Sequence, residues 1–343
     1  MTIYLAAYSF YLFFAGFGLT QRQSKPWVIL GVIPMMLLVF LRGNVGIDTP
    51  KYVQSVEFVR NAETYLLIFE PGFEYLILLL SLVFVDEMVV IKIIAGISTA
   101  FLLATRFSTP IRAQVISLVV IPYYFLDMTM NGLRYGLAFA MLLFSIDNLV
   151  GNRNFRFAAW TLLSVSMQAT SLYVAGLLHA LFRPSFRIMS SVLLVCVILG
   201  IVGAEYILEK VQANSELSIA SPTAGLAPLL LSLLCLLGCW SEYRVRKEHL
   251  LKILILFSLT FLTYAITQVS YAGLRFQQLN FFAILLFIIC AFEVSKVERS
   301  RSILFVLVIA CLFGTAFRLN NFQDCRVFRF EIRPIALKDH ANK

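Results

Sequence analysis

The chain has 343 residues, of which 60% are hydrophobic and only 14% are charged. A soluble domain carries about 25% charged residues, so this composition excludes an ordinary soluble protein. The net charge of +9 does not indicate nucleic-acid binding, because the basic residues lie in short loops between long apolar runs, as in membrane proteins.

Apolar runs along the whole chain predict an all-α, polytopic membrane protein with about 10–12 transmembrane or re-entrant helices. They are expected to form a single domain, residues 1–343. A transmembrane β-barrel is excluded because its strands alternate apolar and polar residues, and these runs do not. The first run lacks a basic n-region and a cleavage site, so it is interpreted as a retained span. In chain order, the predicted spans are Thr2–Leu19, Trp27–Leu41, Gly72–Val85, Val89–Thr105, Ala113–Leu126, Gly132–Val150, Phe157–Leu181, Ile188–Leu208, Gly225–Trp240, Leu250–Gln268, Phe276–Phe292 and Ile303–Phe317.

Basic loops between these spans predict the orientation of the chain, because loops rich in Lys and Arg face the cytoplasm. The assignment places the amino terminus outside and makes 42–70 an outer loop. It also brings Arg134 and Arg275 to the outer ends of their spans. The loops predicted to be cytoplasmic are Gln21–Pro26, Arg106–Arg112, Gly151–Arg156, Phe182–Arg187, Arg244–His249 and Ser295–Arg301.

Two segments do not fit this alternation. Phe157–Leu181 lies between two loops that should both be inside, which predicts a helical hairpin with its turn near Met167–Ser171. Gly72–Thr105 holds two apolar runs where the alternation allows one crossing. Either one of these two runs is re-entrant or the charge rule fails locally, and the sequence leaves both alternatives open.

The outer loop begins with the stretch "LRGNVGIDTPKY", which places Arg42, Asp48 and Tyr52 at the mouth of a span. The motif "DTP" predicts a helix start with Asp48 or Thr49 as N-cap. The residues that follow predict an amphipathic helix in the membrane interface. Asp48 and Arg42 are either chemical groups of a site, or a helix cap and an arginine that snorkels to the interface.

Two further polar clusters lie at predicted outer ends. In "EPGFE", Glu70 and Glu74 could bind a proton, a cation or a sugar hydroxyl, or could simply be solvated charges favoured at a helix start. In "DMTMNGLRYG", Asp127, Asn131 and Arg134 recur at helical spacing. An arginine there requires a cavity or a partner. It could bind phosphate bidentately, or it could form an ion pair with Asp127.

The fourth cluster is "RFQQLN", with Arg275 and Gln278 at a span start, and its simpler interpretation is a helix-end charge. Together Arg42, Arg134 and Arg275 predict an outward site for a lipid diphosphate. The six cysteines and three histidines show no metal-ligand spacing, so neither a metal nor a cofactor is predicted.

Three stretches resemble the EpsG-like branch of the Wzy-type polysaccharide polymerases. They are "LRGNVGIDTPKYVQSVEF", "EPGFEYLILLLSLV" and "MNGLRYGLAFAMLLFSIDNLV", and the similarity in order and spacing continues to Leu181. Where that family usually has a histidine, this chain has Gln168. The positions that match the family elements are Arg42, Gly46, Asp48, Tyr52, Glu70, Pro71, Gly72, Asn131, Arg134 and Ala138.

The resemblance implies a glycosyltransferase with a GT-C-like membrane fold, which joins undecaprenyl-diphosphate-linked oligosaccharides at the outer face of the bacterial cytoplasmic membrane. It implies neither a nucleotide sugar nor an obligatory metal. Expected partners are the lipid-linked oligosaccharide, the bilayer, a chain-length regulator and a flippase.

The resemblance also implies roles for individual residues. Asp48 is the first candidate for general base and Glu70 the second, while Arg134 would stabilise the leaving diphosphate. The residues expected to bind substrate are Arg42, Tyr52, Asn131, Gln168, Arg275 and Gln278.

Two other functions are the alternatives. A flippase or transporter for lipid-linked sugars usually shows repeated halves, and this sequence shows no self-similarity. A membrane sugar O-acyltransferase would need a histidine-centred site, whereas His179, His249 and His340 lie in segments predicted to be inside or in the tail.

Overall fold

The computed structural model describes residues 2–20, 24–41, 48–61, 69–105, 107–183, 225–268 and 270–324. The predicted span Ile188–Leu208 and the candidate residues Arg42 and Gly46 lie outside these ranges. Within them every regular element is helical, which confirms the all-α class.

Seven helices are long and apolar enough to cross a membrane, and four shorter apolar helices accompany them in the described ranges. The seven long and four shorter helices together make eleven, which lies within the predicted 10–12 and shows a multi-pass membrane protein. The helices are α1 (Thr2–Thr20), α2 (Lys25–Leu41), α3 (Thr49–Asn61), α4 (Pro71–Ser81), α5 (Glu87–Ala104), α6 (Pro110–Val115), a π-helical segment (Ile116–Tyr124), α7 (Phe125–Met130), α8 (Leu133–Val150), α9 (Asn154–Met167), α10 (Ser171–Phe182), α11 (Leu226–Ser241), α12 (Tyr243–Thr267), α13 (Tyr271–Val294) and α14 (Arg301–Asp324).

The core of the bundle is formed by two spans. In the most apolar 18-residue stretch of Pro110–Met130, which joins α6, the π-helical segment and α7, 89% of the residues are buried, and in that of Gly273–Val294 of α13 the share is 83%. The hydroxyl of Tyr124 donates to the main-chain oxygen of Gln278 at 2.9 Å and ties the two spans together. Peripheral helices such as α12 expose apolar side chains, as expected for surfaces that face lipid.

One end of the bundle is closed by a buried arginine. Arg112 of α6 forms ion pairs with Asp147 of α8 and, at 3.1 Å, with Glu293 of α13. Its side chain is only 5% exposed, and Thr109 also donates to Glu293 at 3.1 Å. We call this the Arg112 end. The opposite end, where α8 begins, is called the Arg134 end.

The predicted hairpin between two basic loops is confirmed. Arg183, after α10, donates to the main-chain oxygen of Leu149 at 2.9 Å and to Asn154 at the start of α9 at 3.3 Å. Both legs therefore meet at the Arg112 end. At about 1.5 Å per residue, α9 and α10 measure about 20 Å each, short of the bilayer core of about 30 Å.

The structure also distinguishes the two apolar runs of Gly72–Thr105 by the lengths of their helices. Helix α4 has 11 residues, which span only about 16 Å. Helix α5 begins beside α3, where Arg60 lies 2.5 Å from Glu87. It ends at the Arg112 end, where Lys25 donates to the main-chain oxygen of Thr105 at 3.2 Å. Of the two, only α5 is long and apolar enough to cross a membrane, so the structure favours the re-entrant alternative over a full span at Gly72–Val85.

Candidate active site

The centre of the candidate site is an ion pair between Glu70 and Arg134. Arg134 Nη1 lies 2.5 Å from Glu70 Oε2, and the two side chains are 18% and 15% exposed. The other carboxylate oxygen, Oε1, accepts from the main-chain nitrogen of Ala169 at 3.1 Å. One carboxylate thus joins the start of α4, the first turn of α8 and the turn between α9 and α10.

The local sequence explains the position of Glu70 beside Arg134. Glu70 has an extended backbone and directly precedes Pro71, whose fixed φ suits the first position of α4. At Gly72, an added Cβ would lie 2.7 Å from Ser166 Cβ and 2.8 Å from the Ser166 carbonyl oxygen. Only glycine therefore lets the start of α4 pack against the end of α9.

Aromatic rings surround the Arg134 guanidinium. Its central carbon lies 4.3 Å from the ring centroid of Phe69, a favourable cation–π contact. The rings of Phe69 and Phe73 lie 5.6 and 5.8 Å from that of Tyr52. Tyr52 is close enough to Arg134 for the two groups to interact electrostatically. Burial raises the pKa of Tyr52, although nearby Arg134 lowers it, so the hydroxyl keeps its proton at neutral pH.

Polar atoms without partners lie close to this pair. Arg134 Nε is buried and has no hydrogen-bond partner among the described residues, and the same holds for Gln168 Oε1 and Ser171 Oγ. Gln168 Nε2 donates to Thr170 Oγ1 at 3.3 Å. Buried polar groups are normally satisfied, so these three atoms indicate a place for a polar ligand.

The turn before Arg134 is built by Asp127. The main-chain oxygen of Asp127 accepts from the nitrogens of Asn131 and Gly132, both at 2.8 Å. The side chain of Asn131 also donates to Asp127 Oδ1 at 3.1 Å. The turn ends α7 and starts α8 in a new direction, which places Arg134 beside Glu70.

The alternative of an Arg134–Asp127 ion pair is wrong. Asp127 faces Arg318 of α14 instead, with Oδ2 3.1 Å from Arg318 Nη2. Arg318 was missed because it follows the predicted span Ile303–Phe317. The signal that identified Arg134, an arginine beside apolar sequence at the same end, applied to Arg318 as well.

Asp48 lies at the rim of the site. Its side chain is 42% exposed and lies 3.6 Å from Lys51 Nζ. Helix α3 begins at Thr49, so Asp48 is at its N-cap position. The hydroxyl of Thr49 donates to the main-chain oxygen of Met130 at 3.3 Å. This bond holds the start of α3 next to Asn131, and it is Tyr52, one turn later, that contacts Arg134.

The residues of the fourth cluster, 275–280, lie partly at the surface and partly in the core. Arg275 is exposed at the start of α13, and the main-chain oxygen of Gln278 accepts from Tyr124. The amides of Gln277 and Asn280 are buried, and Asn280 donates to Thr260 of α12 at 3.1 Å. These two amides join helices α12 and α13.

A family model, the EpsG family, matches residues 25–331. The chain belongs to the EpsG family. The match extends beyond the resemblance at Leu41–Leu181 and includes both Arg275 and Arg318. No curated protein and no solved structure matches the chain.

Membership in the EpsG family, together with the apolar helices, makes this a multi-pass membrane protein of polysaccharide biosynthesis. The elements matched at Tyr52, Glu70 and Arg134 are distant in the sequence of this EpsG protein, and they meet in one cluster. Within the described residues, no group of three or more His, Cys, Asp or Glu side chains is close enough to hold a metal ion.

Proposed function

We propose that this protein is an oligosaccharide repeat-unit polymerase of O-antigen or exopolysaccharide assembly. Its substrates are undecaprenyl-diphosphate-linked oligosaccharides, and it needs neither a nucleotide sugar nor a metal. The observation that carries the proposal is the Glu70–Arg134 pair, on which three segments matched to the EpsG family converge.

The proposed reaction is a glycosyl transfer between two lipid-linked chains. A hydroxyl of the acceptor unit attacks the anomeric carbon of the donor sugar. The new C–O bond forms, the C–O bond to the diphosphate breaks, and the hydroxyl proton passes to a carboxylate. Arg134 stabilises the charge that develops on the leaving diphosphate, and such preorganised charge contributes about 10²–10³-fold in rate.

Glu70 replaces Asp48 as the first candidate for general base. Its carboxylate is largely buried and is held by both Arg134 and Ala169, whereas Asp48 is half-exposed beside Lys51. When the diphosphate engages Arg134, the hold of Arg134 on Glu70 weakens. A carboxylate oxygen then becomes available to the acceptor hydroxyl, within hydrogen-bond reach as general-base catalysis requires.

The unpartnered atoms near the pair are proposed to bind sugar. Gln168 Oε1 and Ser171 Oγ can accept hydrogen bonds from hydroxyl groups of the acceptor unit. Tyr52 and Asn131 are proposed to bind sugar with them. Arg42, Arg275 and Gln278 remain predicted substrate-binding residues, and Arg42 lies outside the described residues.

The Arg134 end is proposed to face outward from the bacterial cytoplasmic membrane. Basic loops adjoin the Arg112 end, and such loops stay in the cytoplasm. A chain-length regulator and a flippase of the same pathway are the proposed partners in the membrane.

The proposal is tested by the growth of a glycan ladder on a gel, with purified protein and lipid-linked repeat units. Wild-type protein should build the ladder. Glu70→Gln should slow it by about 10²-fold or more, because the proton acceptor is lost. Asp48→Asn should cost at most a few-fold, because asparagine is an equally good N-cap.

Glu74→Gln is the matched control for this experiment. Glu74 lies one turn after Glu70 on α4, and its Oε1 accepts from the main-chain nitrogen of Phe69 at 2.7 Å, a bond that glutamine retains. Its ladder should match wild type. A wild-type protein that builds no ladder refutes the polymerase. A normal ladder from Glu70→Gln removes Glu70 as base and returns Asp48 to that role.

A deletion strain separates the alternative functions. Single repeat units on the lipid acceptor are expected for a polymerase. Complete loss of surface glycan would instead indicate a flippase, and full-length chains without acyl groups would indicate an acyltransferase.

A further inference from the structure

A second buried arginine, Arg318, lies at the Arg134 end on the last described helix, α14. Its side chain is 9% exposed. Its Nε donates to the main-chain oxygen of Tyr123 at 2.8 Å, and its guanidinium carbon lies 4.3 Å from the Tyr123 ring centroid. Its Nη2 lies 3.1 Å from Asp127 Oδ2, an ion-pair contact whose geometry is not that of a hydrogen bond. Arg318 therefore binds both the end of the π-helical segment and helix α7.

The carboxylate of Asp127 continues this link toward the candidate site. One oxygen, Oδ2, faces Arg318, and the other, Oδ1, accepts from the side chain of Asn131. The main-chain oxygen of Asp127 also receives the amide hydrogens of Asn131 and Gly132. Asp127 thus connects α14 to the turn that sets the position of Arg134, two residues after Gly132.

We propose that Arg318 is a positioning residue for the candidate active site. It holds the Asp127 carboxylate in the orientation that fixes the Asn131–Gly132 turn, and the turn in turn aims Arg134 at the reacting diphosphate. The last step rests on the proposed polymerase function. The first steps concern only the shape of the turn and are independent of the reaction.

The rival explanation is that Arg318 is only a packing contact, and Arg112 provides a matched control. Arg112 is also a buried arginine in an ion pair, and it joins α6, α8 and α13 at the opposite end. Removing either arginine takes the cation away from partly buried carboxylates, which destabilises a protein in both cases. Only Arg318 is connected to the turn before Arg134.

Hydrogen–deuterium exchange of the full chain in nanodiscs tests the positioning without reference to any reaction. In Arg318→Met, the amides of Asn131 and Gly132 should exchange about 10-fold faster or more, because local opening becomes easier. A peptide covering 143–156 should exchange as in wild type. Arg112→Met should show the reverse pattern.

Two results of the exchange experiment would overturn the proposal. One is wild-type exchange at Asn131 and Gly132 in Arg318→Met. The other is an equal increase in both regions, which indicates general loosening. If Arg318→Met is not recovered as folded protein, Arg318→Lys decides, because lysine keeps the charge and cannot reach both Tyr123 and Asp127. It should show a smaller increase, again confined to the turn.

Kinetics in the ladder assay test the link to catalysis. Arg318→Met should lower kcat by about 10-fold or more and change KM by no more than about 3-fold, because the misaligned charge matters most in the transition state. In an Asp127→Asn background, Arg318→Met should cause no further loss, since both changes remove the same ion pair. Arg112→Met should keep the kcat of wild type per folded molecule.

The outcomes distinguish the two proposals. If wild type builds no ladder, the polymerase function fails, while the exchange data still decide whether Arg318 positions the turn. If wild type is active and the losses from Arg318→Met and Asp127→Asn multiply, the two residues act separately and the positioning role is wrong.

Discussion

At the scale of single residues, the fork of the Arg134 guanidinium should matter more than its charge. Arg134→Lys keeps a cation beside Glu70 but loses the planar guanidinium that stacks on Phe69. We expect normal abundance and a ladder rate lower by about 10²-fold or more. Arg60→Lys, in the ion pair with Glu87, is the control and should be active. An active Arg134→Lys would show that a point charge suffices.

The sequence placed Glu70, Arg134, Tyr52 and Asn131 among nine candidate site residues, but it did not identify their partners. Asp127 and Arg134 are seven positions apart in the sequence. On a continuous helix this spacing is two turns, which predicts an ion pair on one face. The break at the Asn131–Gly132 turn changes the helix direction, so this periodicity does not carry across it. A partner on a distant helix, such as Arg318, leaves no periodic signal.

At the scale of helices, the packing of α4 on α9 should control the position of Glu70. Gly72→Ala places a methyl group against the Ser166 main chain, which cannot rotate away. We expect the ladder rate to fall by up to about 10²-fold, as for a misplacement of about 1 Å. Gly176→Ala on α10, where no atom lies within 4 Å of the added carbon, is the control and should be fully active. Equal rates for both variants would contradict the role of Gly72.

Charge patterns predicted the α9–α10 hairpin correctly, because two basic loops enclose an apolar segment too long for a loop. They could not distinguish α4 from a span. The turn after α4 is itself apolar, with Leu82, Val83 and Val85 exposed. The apolar run in the sequence therefore extends past the end of the helix and looks long enough for a span. The π-helical segment, which includes Pro122, likewise has no marker in its apolar pattern.

At the scale of the whole molecule, the two ends differ in the way they hold charge. The Arg112 end buries one arginine between two acidic side chains and adjoins exposed basic residues such as Arg153 and Arg156. Among its described residues, the Arg134 end instead holds three separate carboxylate–arginine pairs: Glu70 with Arg134, Asp127 with Arg318, and Glu87 with Arg60. An anionic substrate can exchange with a carboxylate for an arginine, so the second arrangement suits reversible binding of a diphosphate.

This asymmetry leads to a prediction of orientation. Cysteine at Glu57, on the exposed side of α3, should react with a membrane-impermeant thiol reagent in whole cells. Cysteine at the exposed Asn154, at the Arg112 end, should react only after permeabilisation. Wild type serves as background, since the four cysteines in the described residues are buried. Labelling of Asn154→Cys but not Glu57→Cys in intact cells would show that the Glu70–Arg134 pair faces the cytoplasm. Polymerisation at the outer face would then be excluded.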